Sequence, residues 1–262
     1  MSGTRSPFPR APATEALIVA HGQPSDPGPP EADMARLAGK VAALLPGRRI
    51  QGVTLAMPGA LEKALAACKV PPVIYPFFMS DGWFTGHALP KRLNGSSGRI
   101  LDPLGLDPGL VRLAAENILR VAALRHWSTE RVILILAAHG SGRSRNSAQA
   151  SKVFANTLSR MLHLKEIRIG FVEEEPSISQ AARNAGPHSI CLPFFAATGG
   201  HVQDDIPQGL AKAGFAGETF DPIGVAPQIP ALVAQAILRS ESEPSVKPKT
   251  LQHASPQHQL LC

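Results

Sequence analysis

The sequence predicts an α/β protein made of two tandem units, each a parallel sheet flanked by helices, with a cleft between them. Three observations carry that expectation. Short apolar runs of strand length alternate with amphipathic runs of helix length along most of the chain. One of these runs, residues 131–137, is apolar on both faces, as a central parallel strand is when helices cover both sides of its sheet. The two halves also repeat one another in order.

The elements follow from local pattern. Residues 16–20 form a buried-strand run that breaks at a Pro-rich turn, and residues 32–45 then show helical spacing. Residues 52–55, 70–75 and 99–101 are further short strands, with helices expected over 59–67 and 88–93. A long amphipathic helix over 108–124 closes the first half. The second series starts at 131–137 and continues with strands at 168–172 and 189–193. Pro176-Ser177 marks a helix start between those two strands. After Arg239 the chain turns rich in Ser, Pro, Lys and Gln, so 240–262 is expected to be a disordered tail.

The repeat is visible residue by residue. Ala20-His21-Gly22 recurs as Ala138-His139-Gly140, and Pro76-Phe77-Phe78 as Pro193-Phe194-Phe195. From there an ungapped register pairs Gly82 with Gly199, Pro90 with Pro207 and Leu93 with Leu210. Asp102-Pro103 then returns as Asp221-Pro222. A tandem duplication over 14–125 and 129–239 accounts for four matches in order at nearly constant offset.

Composition excludes several classes. The chain is 44% hydrophobic and 18% charged, a globular balance, and its net charge of +6 is spread rather than gathered into runs. No basic stretch is interleaved with stacking aromatics, which argues against a nucleic-acid partner. No segment approaches the ~20 apolar residues of a membrane helix. Cys68, Cys191 and Cys262 have no zinc-type spacing and suggest no disulfide framework, so a cytoplasmic location is expected.

In open parallel sheets, ligands bind beyond the carboxyl ends of the strands. His139 follows the strand 131–137, Glu173, Glu174 and Glu175 follow 168–172, and His201 follows 189–193 behind Gly199-Gly200. Each alone has an ordinary explanation: a turn histidine, or a solvated acidic run at a helix N-terminus. Their joint placement points instead to a crevice with two imidazoles and a carboxylate, a donor set for a borderline divalent metal.

These residues, together with residues 171–178 and the Leu192–Pro207 stretch containing Gly199-Gly200-His201 and Asp204-Asp205, resemble the sirohydrochlorin chelatases of the cobalamin and siroheme pathways, in their two-module form. Ala20-His21-Gly22-Gln23 and the segment from Pro76 to Phe84 look like the same module again. The resemblance implies two flavodoxin-like (chelatase-like) halves enclosing a tetrapyrrole, and insertion of Co2+ or Fe2+, with Ni2+ also compatible, as a substrate metal. No organic cofactor is implied. By this pattern the complete metal and catalytic set is His139, Glu173 and His201, with Glu174 and Glu175 as alternatives to Glu173. The first half keeps His21, but Phe84 stands where His201 would, His87 opposite Asp204, and Leu55-Ala56-Met57 opposite the Glu run. The polycarboxylate substrate makes Arg143, Arg145, Lys152 and Arg183 candidate clamps, and Trp83 and Phe84 a candidate apolar wall. A monomer is expected, since the duplication supplies both halves.

Two other readings remain at the sequence level. One is a non-catalytic metal or tetrapyrrole carrier of the same fold. The other is a binding module for a phosphorylated ligand, with residues 141–144 cradling a phosphate at a helix N-terminus.

Overall fold

A computed structural model of the chain describes residues 14–82, 84–93, 98–140 and 145–242. The first half runs β1 (Glu15–Ala20), α1 (Gly28–Leu44), β2 (Arg49–Thr54), α2 (Ala60–Ala66) and β3 (Val73–Pro76). A π-helical turn, Phe84–Ala88, leads directly into α3 (Leu89–Leu93), followed by β4 (Arg99–Ile100) and α4 (Pro108–Leu124). The second half repeats this series as β5 (Ile133–Ala138), α5 (Arg145–Met161), β6 (Glu166–Phe171), α6 (Ile178–Ala182) and β7 (Ser189–Pro193). A second π-helical turn, His201–Asp205, leads into α7 (Ile206–Lys212), β8 (Glu218–Thr219) and α8 (Ile229–Ser242).

Both sheets are parallel, ordered β2-β1-β3-β4 and β6-β5-β7-β8. The α/β class and the doubled parallel sheet are thus as the sequence predicts. Strand β5 is buried along its whole length, which explains why its six residues are all Ile, Leu or Ala. In each sheet the chain crosses from one side of the first strand to the other, so the switch point opens a crevice above β1/β3 and β5/β7. Helix starts are encoded locally. Asp107 caps α4 by accepting from Gly109 N (2.8 Å) with Pro108 next, and Ser177 and Gln180 form a reciprocal capping box on α6.

The packing crosses the sequence repeat. Helix α8, at the end of the second half, lies against α1 and β3 of the first, while α4 of the first half lies against α5 of the second. One apolar cluster accordingly joins Ile18, Tyr75 and Leu110 to Leu134, Phe194, Val233 and Ile237. Polar contacts seal the exchange. Arg48 pairs with Glu241 through two hydrogen bonds (2.8 and 2.7 Å), Arg99 donates to Ser240 O (2.8 Å), and Arg125 pairs with Glu218. These contacts carry α8 three residues past Arg239, into residues expected to be disordered. Residues 243–262 lie outside the described residues.

One substitution between the halves has a visible consequence. Gly52 in β2 admits α1 so closely that a Cβ there would lie 2.0 Å from Met34 O. Its equivalent in β6 is Ile169, which lines a cavity of about 630 Å³ together with Ala155 and Ser159 of α5.

At the centre of the exchange, the buried Asp107 carboxylate faces the half-exposed Arg239 (3.1 Å) and the buried Tyr75 hydroxyl (3.4 Å). Burial, reinforced by that carboxylate, pushes the Tyr75 phenol up. Replacing Asp107 with Ala removes the α4 cap and leaves Tyr75 unpartnered. The expected loss is about 2–3 kcal/mol of stability in urea denaturation. Arg36→Ala, which breaks an exposed pair with Asp33, is expected to change stability by less than about 0.5 kcal/mol.

Candidate metal centre

Three loops at the carboxyl end of the second sheet meet at one point. Two backbone hydrogen bonds join the loops that leave β5 and β6: Val172 N donates to Ala138 O (3.1 Å) and Glu173 N to His139 O (3.0 Å). That last bond fixes Glu173 beside His139. On the other side of β5, Phe194 N donates to Ala137 O (2.7 Å) and sends the next loop toward Gly199 and Gly200. His201 opens the π-helical turn after that loop.

The side chains converge as the backbone directs. His139, Glu173 and His201 each offer a ligand atom, all within 4.8 Å of one another. The imidazoles meet edge to face, with centroids 4.6 Å apart, and His139 also lies 6.3 Å from the Phe195 ring. His139 Nδ1 is 3.0 Å from Gly140 O and 3.6 Å from Glu173 Oε2. Both oxygens are acceptors, so these contacts favour the tautomer with the proton on Nδ1, which leaves Nε2 its lone pair. His201 Nδ1 lies 2.6 Å from Asp205 Oδ2. Two imidazole lone pairs and a carboxylate together make a donor set for a divalent ion.

The neighbouring carboxylates have other engagements. Glu175 Oε2 accepts from Ser177 N (3.0 Å) in the turn before α6. Glu174 packs over Gly140, where a Cβ would sit 2.8 Å from Glu174 Cγ. Gly140 itself has φ +70°, which only glycine adopts freely, so the His-Gly pair is a turn requirement.

The first half repeats the frame without the donors. Ala56 N donates to His21 O (2.9 Å), the counterpart of the Glu173–His139 bond. The Glu run therefore faces Ala56-Met57-Pro58, one residue later than the sequence register of Leu55-Ala56-Met57. The conclusion that no carboxylate stands there holds. Burial moves the His21 imidazole below its usual range. His87 is exposed on the first π-helical turn.

Other candidates divide. Trp83 and Arg143, with the other residues of 141–144, lie outside the described residues. Phe84 and Arg145 open the first π-helical turn and α5, and their side chains lie outside the described ones. Lys152 is exposed on α5, beyond its second turn. Arg183 does not border the crevice. It follows the last residue of α6, on the side where the chain returns to start β7, and its carbonyl accepts from Arg168 (2.8 Å). Sequence reasoning missed Asp205, whose signal was a carboxylate four residues after His201 on one helical face.

A solved structure described as CbiX, the terminal enzyme for biosynthesis of siroheme in denitrifying bacteria, is 43% identical to this chain, covering 87% of it and 99% of that protein, with a TM-score of 0.78. The chain belongs to the CbiX family. The CbiX family model matches residues 133–240, the half that holds His139, Glu173 and His201. A Halobacterium salinarum protein named a probable sirohydrochlorin cobaltochelatase is 26% identical over 164 residues, which are 52% of this chain and 55% of that protein. The match thus spans about half that relative's length. SirB from Bacillus subtilis, solved with Fe3+, shares the fold at 17% identity and a TM-score of 0.68, over 88% of this chain and 98% of that one.

Gly140→Ala tests the backbone requirement at this site. The left-handed φ and the crowding by Glu174 and Phe171 are expected to lower stability by about 1–2 kcal/mol. Gly199→Ala, which meets nothing within 4 Å, is expected to stay within about 0.5 kcal/mol in the same denaturation assay.

Proposed function

We propose that this chain inserts a divalent metal, Co2+ or Fe2+, into a sirohydrochlorin-type tetrapyrrole, with His139, Glu173 and His201 as the metal-handling and catalytic residues. The observation that carries the reading is the convergence of those three side chains from three separate loops of one half. Membership of the CbiX family supports the substrate class.

The chemistry asks for what these groups offer. Insertion exchanges two pyrrole N–H protons for one M2+, which must shed water as it enters the ring. The Nε2 lone pairs of His139 and His201 can hold the metal or accept a proton, and Glu173 offsets its charge. Arg143 and Arg145, just after β5, would pair with substrate carboxylates, and Phe84 would face the flat macrocycle from the first half. The duplicated units, 14–125 and 129–239, supply both walls of the cleft, so one chain suffices. A cytoplasmic reaction is part of the same proposal and rests on the cysteine pattern, which suggests no disulfide framework. Among the described residues no helix is long and apolar enough to cross a membrane.

Anaerobic insertion followed by the absorbance of the metallated product, with Co2+ and Fe2+ in parallel, is the test. His139→Ala and His201→Ala are each expected to lower kcat/KM by about 10²–10⁴-fold, with Glu173→Gln also impaired. His87→Ala is expected to remain near the unsubstituted protein. Near-normal turnover in both histidine variants, with unchanged circular dichroism, would refute the assignment. Product limited to one equivalent per chain would identify a carrier instead.

A further inference from the structure

We infer that Asp205 is the positioning residue of His201: its carboxylate takes the Nδ1 proton, and so fixes the ring with Nε2 turned to the metal-handling cluster. The inference rests on the function proposed above and adds a residue to it.

The geometry comes first. The Nδ1–Oδ2 distance of 2.6 Å is that of a charge-assisted hydrogen bond, and an ionised carboxylate can only accept. The neutral ring must therefore carry its proton on Nδ1. Of its two nitrogens, only Nε2 then has a lone pair for a metal ion or a pyrrole proton. The edge-to-face contact with His139, at 86°, limits rotation of the ring from the other side. A ligand held between two such partners is presented in one orientation, which is how a carboxylate behind a metal-binding histidine raises affinity.

A structural role for the pair is the competing explanation, and the duplication tests it internally. The π-helical turns Phe84–Ala88 and His201–Asp205 occupy the same place in the two halves, each leading straight into the next α-helix. In the first half, Phe84 stands in place of His201 and Ala88 in place of Asp205. The turn thus forms without the His–Asp pair, so the pair is not what makes the turn. Ring and acceptor are also absent together: the half without the imidazole has no carboxylate behind it. The side chains of His201 and Asp205 are 42% and 46% exposed, where a pair adds little to folding. Its consequence falls on the ring.

The decisive experiment reads the tautomer directly. In 15N-histidine-labelled, metal-free full-length protein, long-range 1H–15N correlation spectra distinguish Nδ1–H from Nε2–H rings. Wild type is expected to show His201 as Nδ1–H, and Asp205→Ala to move it to Nε2–H. Asp205→Asn, whose carbonyl still accepts, is expected to keep the wild-type tautomer, as is Asp204→Ala. Co2+ titration of the same proteins should show affinity weakened by about 10–100-fold in Asp205→Ala and largely restored in Asp205→Asn. An unchanged His201 tautomer in Asp205→Ala overturns the inference, as does a changed tautomer with unchanged Co2+ affinity. A wild-type protein that neither binds Co2+ nor inserts it overturns the proposed function and this inference with it. That result is read on the unsubstituted chain, so the two failures are distinct.

Discussion

Where β5 and β6 end, at the paired residues Ala138 and Phe171, backbone hydrogen bonds continue to tie the departing loops together. Two of them, Val172 N to Ala138 O and Glu173 N to His139 O, set a carboxylate beside an imidazole without any side-chain contact having to do so. Everything else at the site hangs from that alignment. Gly140 turns the chain away at once, as only a residue tolerant of positive φ can, and β7 on the far side of β5 delivers His201. A cluster assembled by backbone register is fixed before any ligand arrives, which suits the metal handling proposed for it.

The two halves separate scaffold from chemistry. Both have the parallel ladder, the His-Gly turn and the π-helical turn before the next helix. They differ at the side chains: Ala56 for Glu173, Phe84 for His201, Ala88 for Asp205. The exchanged helices α4 and α8 tie the two versions together, with the buried Asp107 at their meeting point. The first sheet is thus covered in part by a helix of the second half, and the two halves cannot drift apart without breaking a shared apolar core.

Much of this was legible in the chain. The central strand showed itself because burial on both faces admits only apolar residues, and α4 was bounded correctly because Asp107 and Pro108 mark its start. His139 and His201 could be placed because strand ends are readable from hydrophobic runs. The helix exchange was not legible. An apolar stripe such as Leu232, Val233 and Ile237 specifies that a face is covered, not which copy of a repeated sheet covers it. The Glu register slipped by one residue because the second half is one residue shorter between its first two strands, a change no local pattern records. Asp205 is not legible in the sequence, since an acid near a helix start has an ordinary macrodipole explanation and only the distance to His201 Nδ1 reveals its partner. Strand β8, at two residues, is too short to carry a period.

The central claim is that one half, through His139, Glu173 and His201, receives the metal. Crystals of the full chain soaked in Co2+ and measured at the cobalt absorption edge would test it most directly. The account predicts an anomalous peak bounded by His139 Nε2, His201 Nε2 and a Glu173 oxygen, at metal–ligand distances of about 2.0–2.2 Å. A peak at His21 in the first half, with none among these three residues, would contradict it.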